Sequence, residues 1–285
     1  MIKYIQTIFR GIGQVMFQNN GYSGILFLFG IFYNSWILGL AALFGTIIST
    51  ASAMLLKYSG EDIQNGLYGF NGALTGIALL FYFKPDLTMV FVLIIGAFCS
   101  SPVMHILKKI LPPFTAPFVI VTWILMSILV FFFNLKLLSG SGLPVEKLSV
   151  FAATANGFGQ VMFQKNIVTG LFFLLAIFVN SKFAGLYALY ASLLGFLIGW
   201  LLFVPVSVLN SGLMGYNGIL CAIALTGTKR SDFGWISLAV LLSVLLNIGL
   251  AKLGIITLTA PFVLSAWSVL AIKKNKIRFI GWSKT

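Results

Sequence analysis

The sequence predicts an all-α polytopic membrane protein of two homologous halves with inverted topology, each with five transmembrane helices plus one re-entrant half-helix. Three observations lead to this prediction: the composition, an internal repeat, and an odd number of apolar segments per half. Of the 285 residues, 60% are hydrophobic and only 8% are charged, whereas a soluble domain carries about 25% charged residues. So few charges cannot cover a soluble surface, and a mean hydropathy of +1.05 indicates several membrane spans.

The internal repeat divides the chain into two similar halves. Gly13–Gln18 recurs unchanged as Gly159–Gln164, an offset of 146, and 18 of the 31 residues between positions 13 and 43 are identical at that offset. Two further motifs recur in similar form, Gly66–Leu74 as Gly212–Leu220 and, at an offset of 144, Thr115–Phe118 as Thr259–Phe262. We therefore expect a first repeat at 1–140 and a second at 141–285, which together form one membrane domain.

Each half contains one amphipathic stretch followed by five apolar segments. A transmembrane helix needs about 20 apolar residues, and fewer where a half-helix is held inside the protein. The first half has predicted spans at 21–34, 36–57, 67–83, 87–110 and 114–134. The second half has predicted spans at 167–180, 183–204, 213–228, 233–251 and 260–273. The stretches at 3–18 and 148–164 are too polar to face lipid, and we interpret them as re-entrant half-helices.

The positive charges indicate how these spans are oriented. Five spans carry the chain to the opposite side of the membrane, so the second half is inverted relative to the first. The C-terminus is expected in the cytoplasm because it holds the strongest basic cluster, Lys273, Lys274, Lys276, Arg278 and Lys284. Ten spans then place the N-terminus there too, with 13 of the 18 Lys and Arg residues on the cytoplasmic side. We expect an integral plasma (inner) membrane protein with both termini cytoplasmic.

The charged and metal-binding residues limit the class of function. Basic cytoplasmic loops explain the net charge of +13, so nucleic acid is not an expected partner. No predicted span carries a charged residue near its middle, which argues against ion coupling and for a neutral solute that moves passively. Cys99, Cys221 and His105 provide no metal ligand set. We expect no cofactor, no metal and, without a catalytic carboxylate pair or Ser/His dyad, no enzyme.

Neutral polar residues and aromatic residues recur at matched positions. The polar pairs are Gln14 with Gln160, Asn71 with Asn217, and Thr115 with Thr259, and the aromatic pairs are Phe17 with Phe163, Phe70 with Tyr216, and Phe118 with Phe262. Such polar groups either line a pathway for a polar uncharged solute or tie helices together. We favour helix capping for the asparagines and the pathway for the glutamines, while both alternatives stay open for the threonines. Facing aromatic rings would leave a flat slot for a planar solute.

Together these motifs resemble the urea transporter family. The resemblance rests on Gln14–Asn20 with Ser23 and Gly24, on Gly66–Leu74, and on Leu111–Phe118, each with a partner in the second half, and it covers about residues 10–270. The family implies two inverted halves of five spans and one re-entrant helix, with a pore at the repeat interface. It also implies a homotrimer in membrane lipid, with one pore per subunit.

The resemblance implies passive, channel-like transport of urea through a narrow slot lined by aromatic rings and hydrogen-bonding oxygens. The implied pore residues are Gln14, Val15, Phe17, Phe70, Leu74 and Thr115 in the first half and Gln160, Val161, Phe163, Tyr216, Leu220 and Thr259 in the second. The chain departs from the pattern where a tyrosine replaces phenylalanine in the second half and where Lys57–Asn65 does not match cleanly. The alternative is a channel for another small neutral solute, namely a short amide, ammonia or water.

Overall fold

The computed structural model describes residues 2–138, 147–226 and 231–282. The described residues form helices joined by short loops, without a β-strand. The predicted boundary between residues 140 and 141 lies outside this part, as do Lys229, Arg230 and Lys284 of the charge count.

Each half contributes seven helices to the described structure. The first seven are α1 (Ile2–Gln14), α2 (Gly21–Asn34), α3 (Trp36–Leu55), α4 (Gly60–Gln64), α5 (Gly69–Tyr82), α6 (Leu87–Lys108) and α7 (Ala116–Ser127), which continues as a π-helical turn over Ile128–Phe132. The second seven are α8 (Val150–Gln160), α9 (Ile167–Asn180), α10 (Lys182–Leu201), α11 (Val206–Asn210), α12 (Tyr216–Leu225), α13 (Ser231–Lys252) and α14 (Ala260–Trp282). The two runs have the same order, and α2 and α9 share a length of 14 residues.

A helix lies at each predicted apolar segment, although several lengths differ from the prediction. Four helices, α3, α6, α10 and α13, are long and apolar enough to cross a membrane within the described chain, and five further apolar helices have 10 to 17 residues. The amphipathic stretch at 3–18 is α-helical only to Gln14, because Phe17 adopts a left-handed backbone with a φ of 57° that ends the helix. The five-residue helices α4 and α11 were not predicted, since neither contains an apolar run.

Equivalent helices of the two halves, α2 and α9, pack against each other in opposite directions. Ser23 Oγ donates a hydrogen bond to the Ala176 carbonyl at 2.7 Å, and Thr169 Oγ1 donates one to the Gly30 carbonyl at 2.8 Å. Partner numbers on α9 fall as residue numbers on α2 rise, so the helices are antiparallel. Close approach within each half depends on small residues such as Gly24, where an added Cβ would lie 1.8 Å from the carbonyl oxygen of a neighbouring helix.

Three pairs of hydrogen bonds between the halves are matched. The α2–α9 pair repeats at an offset of 146, since Ser23 matches Thr169 and Gly30 matches Ala176. At the same offset, the amide nitrogen of Asn34 donates to Gln164 Oε1 at 2.8 Å and that of Asn180 donates to Gln18 Oε1 at 2.9 Å. At an offset of 144, Trp123 Nε1 donates to the Ile256 carbonyl and Trp267 Nε1 to the Pro112 carbonyl, both at 2.8 Å. Reciprocal contacts of this kind are the pattern of a two-fold related interface.

Candidate functional site

The starts of α7 and α14 meet at a buried pair of threonines. Thr115 directly precedes α7 and Thr259 directly precedes α14, and their hydroxyl oxygens lie 2.7 Å apart. Both residues are fully or almost fully buried. The residues before them, Phe114 and Leu258, share a left-handed backbone with a φ of 46°, so the two loops have closely similar shapes. The structure therefore brings together the two threonines that the sequence singles out.

Asparagine side chains fix the position of both helix starts. Asn71 Oδ1 accepts a hydrogen bond from the Phe118 backbone N–H at 3.1 Å, and Asn217 Oδ1 accepts one from Phe262 N–H at 3.2 Å. These N–H groups belong to the first turns of α7 and α14, which have no acceptor within their own helices. The geometry matches the capping role favoured from the sequence, with the difference that each asparagine caps a neighbouring helix rather than its own.

Aromatic rings surround the threonine pair on two sides. On one side the Phe17 ring lies 5.9 Å from Phe114 and 5.8 Å from Phe262, and the latter two rings lie 5.3 Å apart. On the other side the Phe163 ring lies 5.2 Å from Phe81. These contacts have interplanar angles between 46° and 87°, so the rings meet at an angle and not as the parallel plates of a flat slot.

The Phe163 side opens into a cavity of about 190 Å³. Its lining consists of Phe81, Tyr82, Gln160, Val161, Phe163, Leu213, Tyr216, Thr257, Leu258 and Thr259. At about 30 Å³ per water molecule, such a volume accommodates roughly six waters or one small solute. Apolar and aromatic walls with a few convergent polar groups are typical of small-molecule sites. Five of the six residues predicted in the second half lie here, whereas Leu220 is fully buried in the hydrophobic core.

The predicted residues of the first half do not line this cavity. Val15, Phe70 and Leu74 are buried in the main hydrophobic core, and Phe17 is half-buried in its ring cluster. Gln14 donates from Nε2 to the Asn65 carbonyl at 2.9 Å, so its amide ties α1 to the loop after α4.

The matched glutamine of the second half is arranged differently. Gln160 borders the cavity, and its amide has no hydrogen-bond partner in the part of the chain that the structure describes. The pathway interpretation of the two glutamines thus fits the surroundings of Gln160 and does not fit those of Gln14.

Several lining residues were missed by sequence reasoning. Phe81 and Tyr82 come from the end of α5, and the positions that match them, 227 and 228, are glycine and threonine, so the repeat gives no signal there. Thr257 and Leu258 directly precede a predicted residue, and the shared motif at Thr259 would have located them if it had been extended backwards. Among the described residues, no group of three His, Cys, Asp or Glu side chains could hold a metal ion.

Comparison with known proteins assigns the family. The model of the urea transporter family matches residues 5–274. The chain belongs to the urea transporter family. Proteins of this family are transporters and not enzymes, and the apolar helices of the chain are those of an integral membrane protein.

Relatives from mammals agree with the family assignment. The chain is 32% identical to urea transporter 1 of Rattus norvegicus and 33% identical to that of Mus musculus over 245 residues, which is 80% of the chain. It is 30% identical to urea transporter 1 of Ovis aries over 244 residues. The aligned region spans 64% of the length of each of these curated relatives.

Proposed function

We propose that the protein is a passive, channel-like pore that lets urea cross the membrane down its gradient. The observation that supports this proposal most directly is the small cavity next to the buried Thr115–Thr259 contact between the two halves. In the proposed pathway, urea passes between the halves, with the aromatic clusters on either side of the threonines and the two hydroxyls at the narrowest point. Family membership supplies the solute.

The chemistry of the lining suits a planar, neutral solute that is rich in N–H donors. Urea leaves water only if its hydration is replaced, and hydroxyl, carbonyl and amide oxygens accept N–H hydrogen bonds. The hydroxyls of Thr257 and Thr259 and the amide oxygen of Gln160 are such acceptors at the cavity. Because conduction requires binding that is weak enough for release, several modest sites in series suit this task better than one tight site.

We further propose that residues 1–140 and 141–285 are inverted repeats of five spans and one re-entrant half-helix each. The antiparallel contact of α2 with α9 and the reciprocal hydrogen bonds between the halves support this arrangement. The side chains of Leu87, Phe91 and Ile95 on α6 are more than half exposed and suit contact with lipid. The positive charges favour cytoplasmic termini in a plasma (inner) membrane. A homotrimer is proposed from the family resemblance.

Stopped-flow light scattering on proteoliposomes tests the proposed function. Vesicles that contain the purified protein are exposed to an inward or outward urea gradient. Empty vesicles and a sucrose gradient of equal osmolarity are the controls. We expect fast, saturable urea equilibration that ionophores do not change. Absence of urea flux with demonstrably folded protein would contradict the proposal, and parallel gradients of formamide, ammonia and water would then identify another small neutral solute.

A further inference from the structure

A tyrosine hydroxyl lies at one end of the candidate pathway and has no counterpart at the matched position of the other half. Tyr216 occupies the position that matches Phe70, at the start of α12. Its hydroxyl donates a hydrogen bond to the Leu258 carbonyl at 2.5 Å and lies 3.1 Å from Thr257 Oγ1. All three residues line the 190 Å³ cavity. The phenol therefore occupies a backbone acceptor directly beside Thr259.

The matched carbonyl in the first half has no such donor. Phe114 corresponds to Leu258 and has the same φ of 46°, but Phe70 carries no hydroxyl to reach it. Within the residues that the structure describes, the Phe114 carbonyl accepts no hydrogen bond. The neighbouring backbone hydrogen bonds are the same in the two loops, since Ala116 N–H donates to the Pro113 carbonyl at 2.9 Å and Ala260 N–H donates to the Thr257 carbonyl at 3.0 Å. The tyrosine hydroxyl is thus a local difference between two similar loops.

We propose that Tyr216 sets the solute affinity at the second-half end of the pathway by occupying the Leu258 carbonyl. This inference rests on the proposed function and concerns solutes with paired N–H donors, namely urea and simple amides. Such a solute competes with a short phenol hydrogen bond at Leu258, whereas at Phe114 it meets an unoccupied acceptor. A hydrogen bond is stronger in an environment of low dielectric constant, so the competition weakens binding at the second-half end. The pathway therefore has a tighter end and a weaker end.

The test exchanges the phenol between the halves. Wild type, Tyr216→Phe, Phe70→Tyr and the double variant are reconstituted into liposomes with one fixed orientation, which protease accessibility of the C-terminus verifies. The urea concentration for half-maximal entry is then measured separately from each face. Loss or gain of one hydrogen bond changes this concentration by about threefold to tenfold.

We call the membrane face nearer to Phe70 the first-half face and the membrane face nearer to Tyr216 the second-half face. Urea entry into wild-type vesicles is expected to saturate at a lower concentration from the first-half face than from the second-half face. Tyr216→Phe should lower the value at the second-half face and remove the difference, and the double variant should reverse it. If Tyr216→Phe does not fold, Phe70→Tyr alone still tests the inference. This variant should raise the urea concentration for half-maximal entry at the first-half face only. Tyr190→Phe is the matched control, since it removes a phenol hydroxyl that is bonded 2.8 Å from Ser237, away from the cavity.

Three results have distinct meanings. Equal values at the two faces of the wild type, or the wild-type difference retained in Tyr216→Phe, would overturn the inference and leave the proposed function intact. An equal loss of flux at both faces in Tyr216→Phe, with a lowered melting temperature, would show a purely structural role and would also overturn it. No urea flux in any folded protein, wild type included, would overturn the proposed function and the inference with it.

Discussion

The two halves make the same contacts where they pack against each other, but part of the cavity lining differs between them. The two hydrogen bonds between α2 and α9 repeat at an offset of 146. At the cavity, by contrast, Phe114 is replaced by Leu258, and Pro113 by Thr257. The comparison shows that the repeat keeps the contacts between the halves and the threonine pair, while the loop residues directly before the threonines differ.

A second contrast between the halves concerns an aromatic cluster around His105. In the first half, the Tyr58 ring stacks on His105 with centroids 4.0 Å apart, and Tyr68 Oη lies 3.3 Å from His105 Nδ1. The residues that match the two tyrosines in the second half are Val204 and Met214. One half thus has a polar aromatic cluster at this place and the other an apolar contact.

The largest expected effect comes from the threonine pair, where the halves should respond equally. Thr115→Leu and Thr259→Leu each place a bulkier side chain at the narrowest point, and we expect urea flux to fall at least about tenfold, since ~1.4 kcal/mol of added barrier suffices. Stopped-flow flux measures the effect, with size-exclusion chromatography as the check on folding. Thr122→Val, seven residues further along the chain in α7 and with a buried hydroxyl that has no hydrogen-bond partner among the described residues, is the control. Normal flux in both leucine variants would remove the threonines from the pathway.

The next effect concerns the asparagine caps, where the halves should again agree. Asn71→Ala and Asn217→Ala each leave a buried helix N–H without its acceptor, so we expect a loss of about 1–3 kcal/mol in the free energy of unfolding. Thermal denaturation in detergent measures it. A loss in one variant only would mean that the caps are not equivalent, despite their matched distances of 3.1 and 3.2 Å.

The glutamines should separate the halves. Gln14→Met removes the hydrogen bond to the Asn65 carbonyl, so stability should fall by about 1 kcal/mol. Gln160→Met removes an amide at the cavity, so urea flux should fall about threefold with little change in melting temperature. Urea flux and melting temperature are both measured on Gln14→Met and on Gln160→Met. The same changes in both variants would contradict the different surroundings of the two glutamines in the structure.

The smallest effect concerns ion pairs. Asp62 binds Lys108 at 2.5 Å in a partly exposed position, so Asp62→Asn should cost only about 0.2–1 kcal/mol and less at high salt. Asp232, which is 5% exposed and lies 3.0 Å from Lys273, should respond more strongly to the same substitution. Denaturation at low and high salt checks the order. Equal losses would mean that burial does not distinguish the two pairs.

Much of the fold follows from the sequence because hydropathy and the repeat report on the same segments. α2 and α9 have the bounds that were predicted, 21–34 and 167–180. The site is predictable only where its residues belong to a repeated motif, as with Thr115 and Thr259. The different roles of Gln14 and Gln160 are not predictable, because Gln14 binds the Asn65 carbonyl directly after α4, in a segment where the halves diverge. Ring angles depend on side-chain packing and leave no trace in residue spacing.

The reciprocal hydrogen bonds between α2 and α9 have a consequence for how such a molecule can arise. Each half offers its neighbour the same groups that it receives, since Ser23 and Thr169 are both donors and Gly30 and Ala176 are both acceptors. A half-length chain with these groups would carry matching donors and acceptors for a second copy of itself. If that chain entered the bilayer in both orientations, gene duplication and fusion would only have had to make the pairing permanent, after which each copy was free to acquire its own cavity residues.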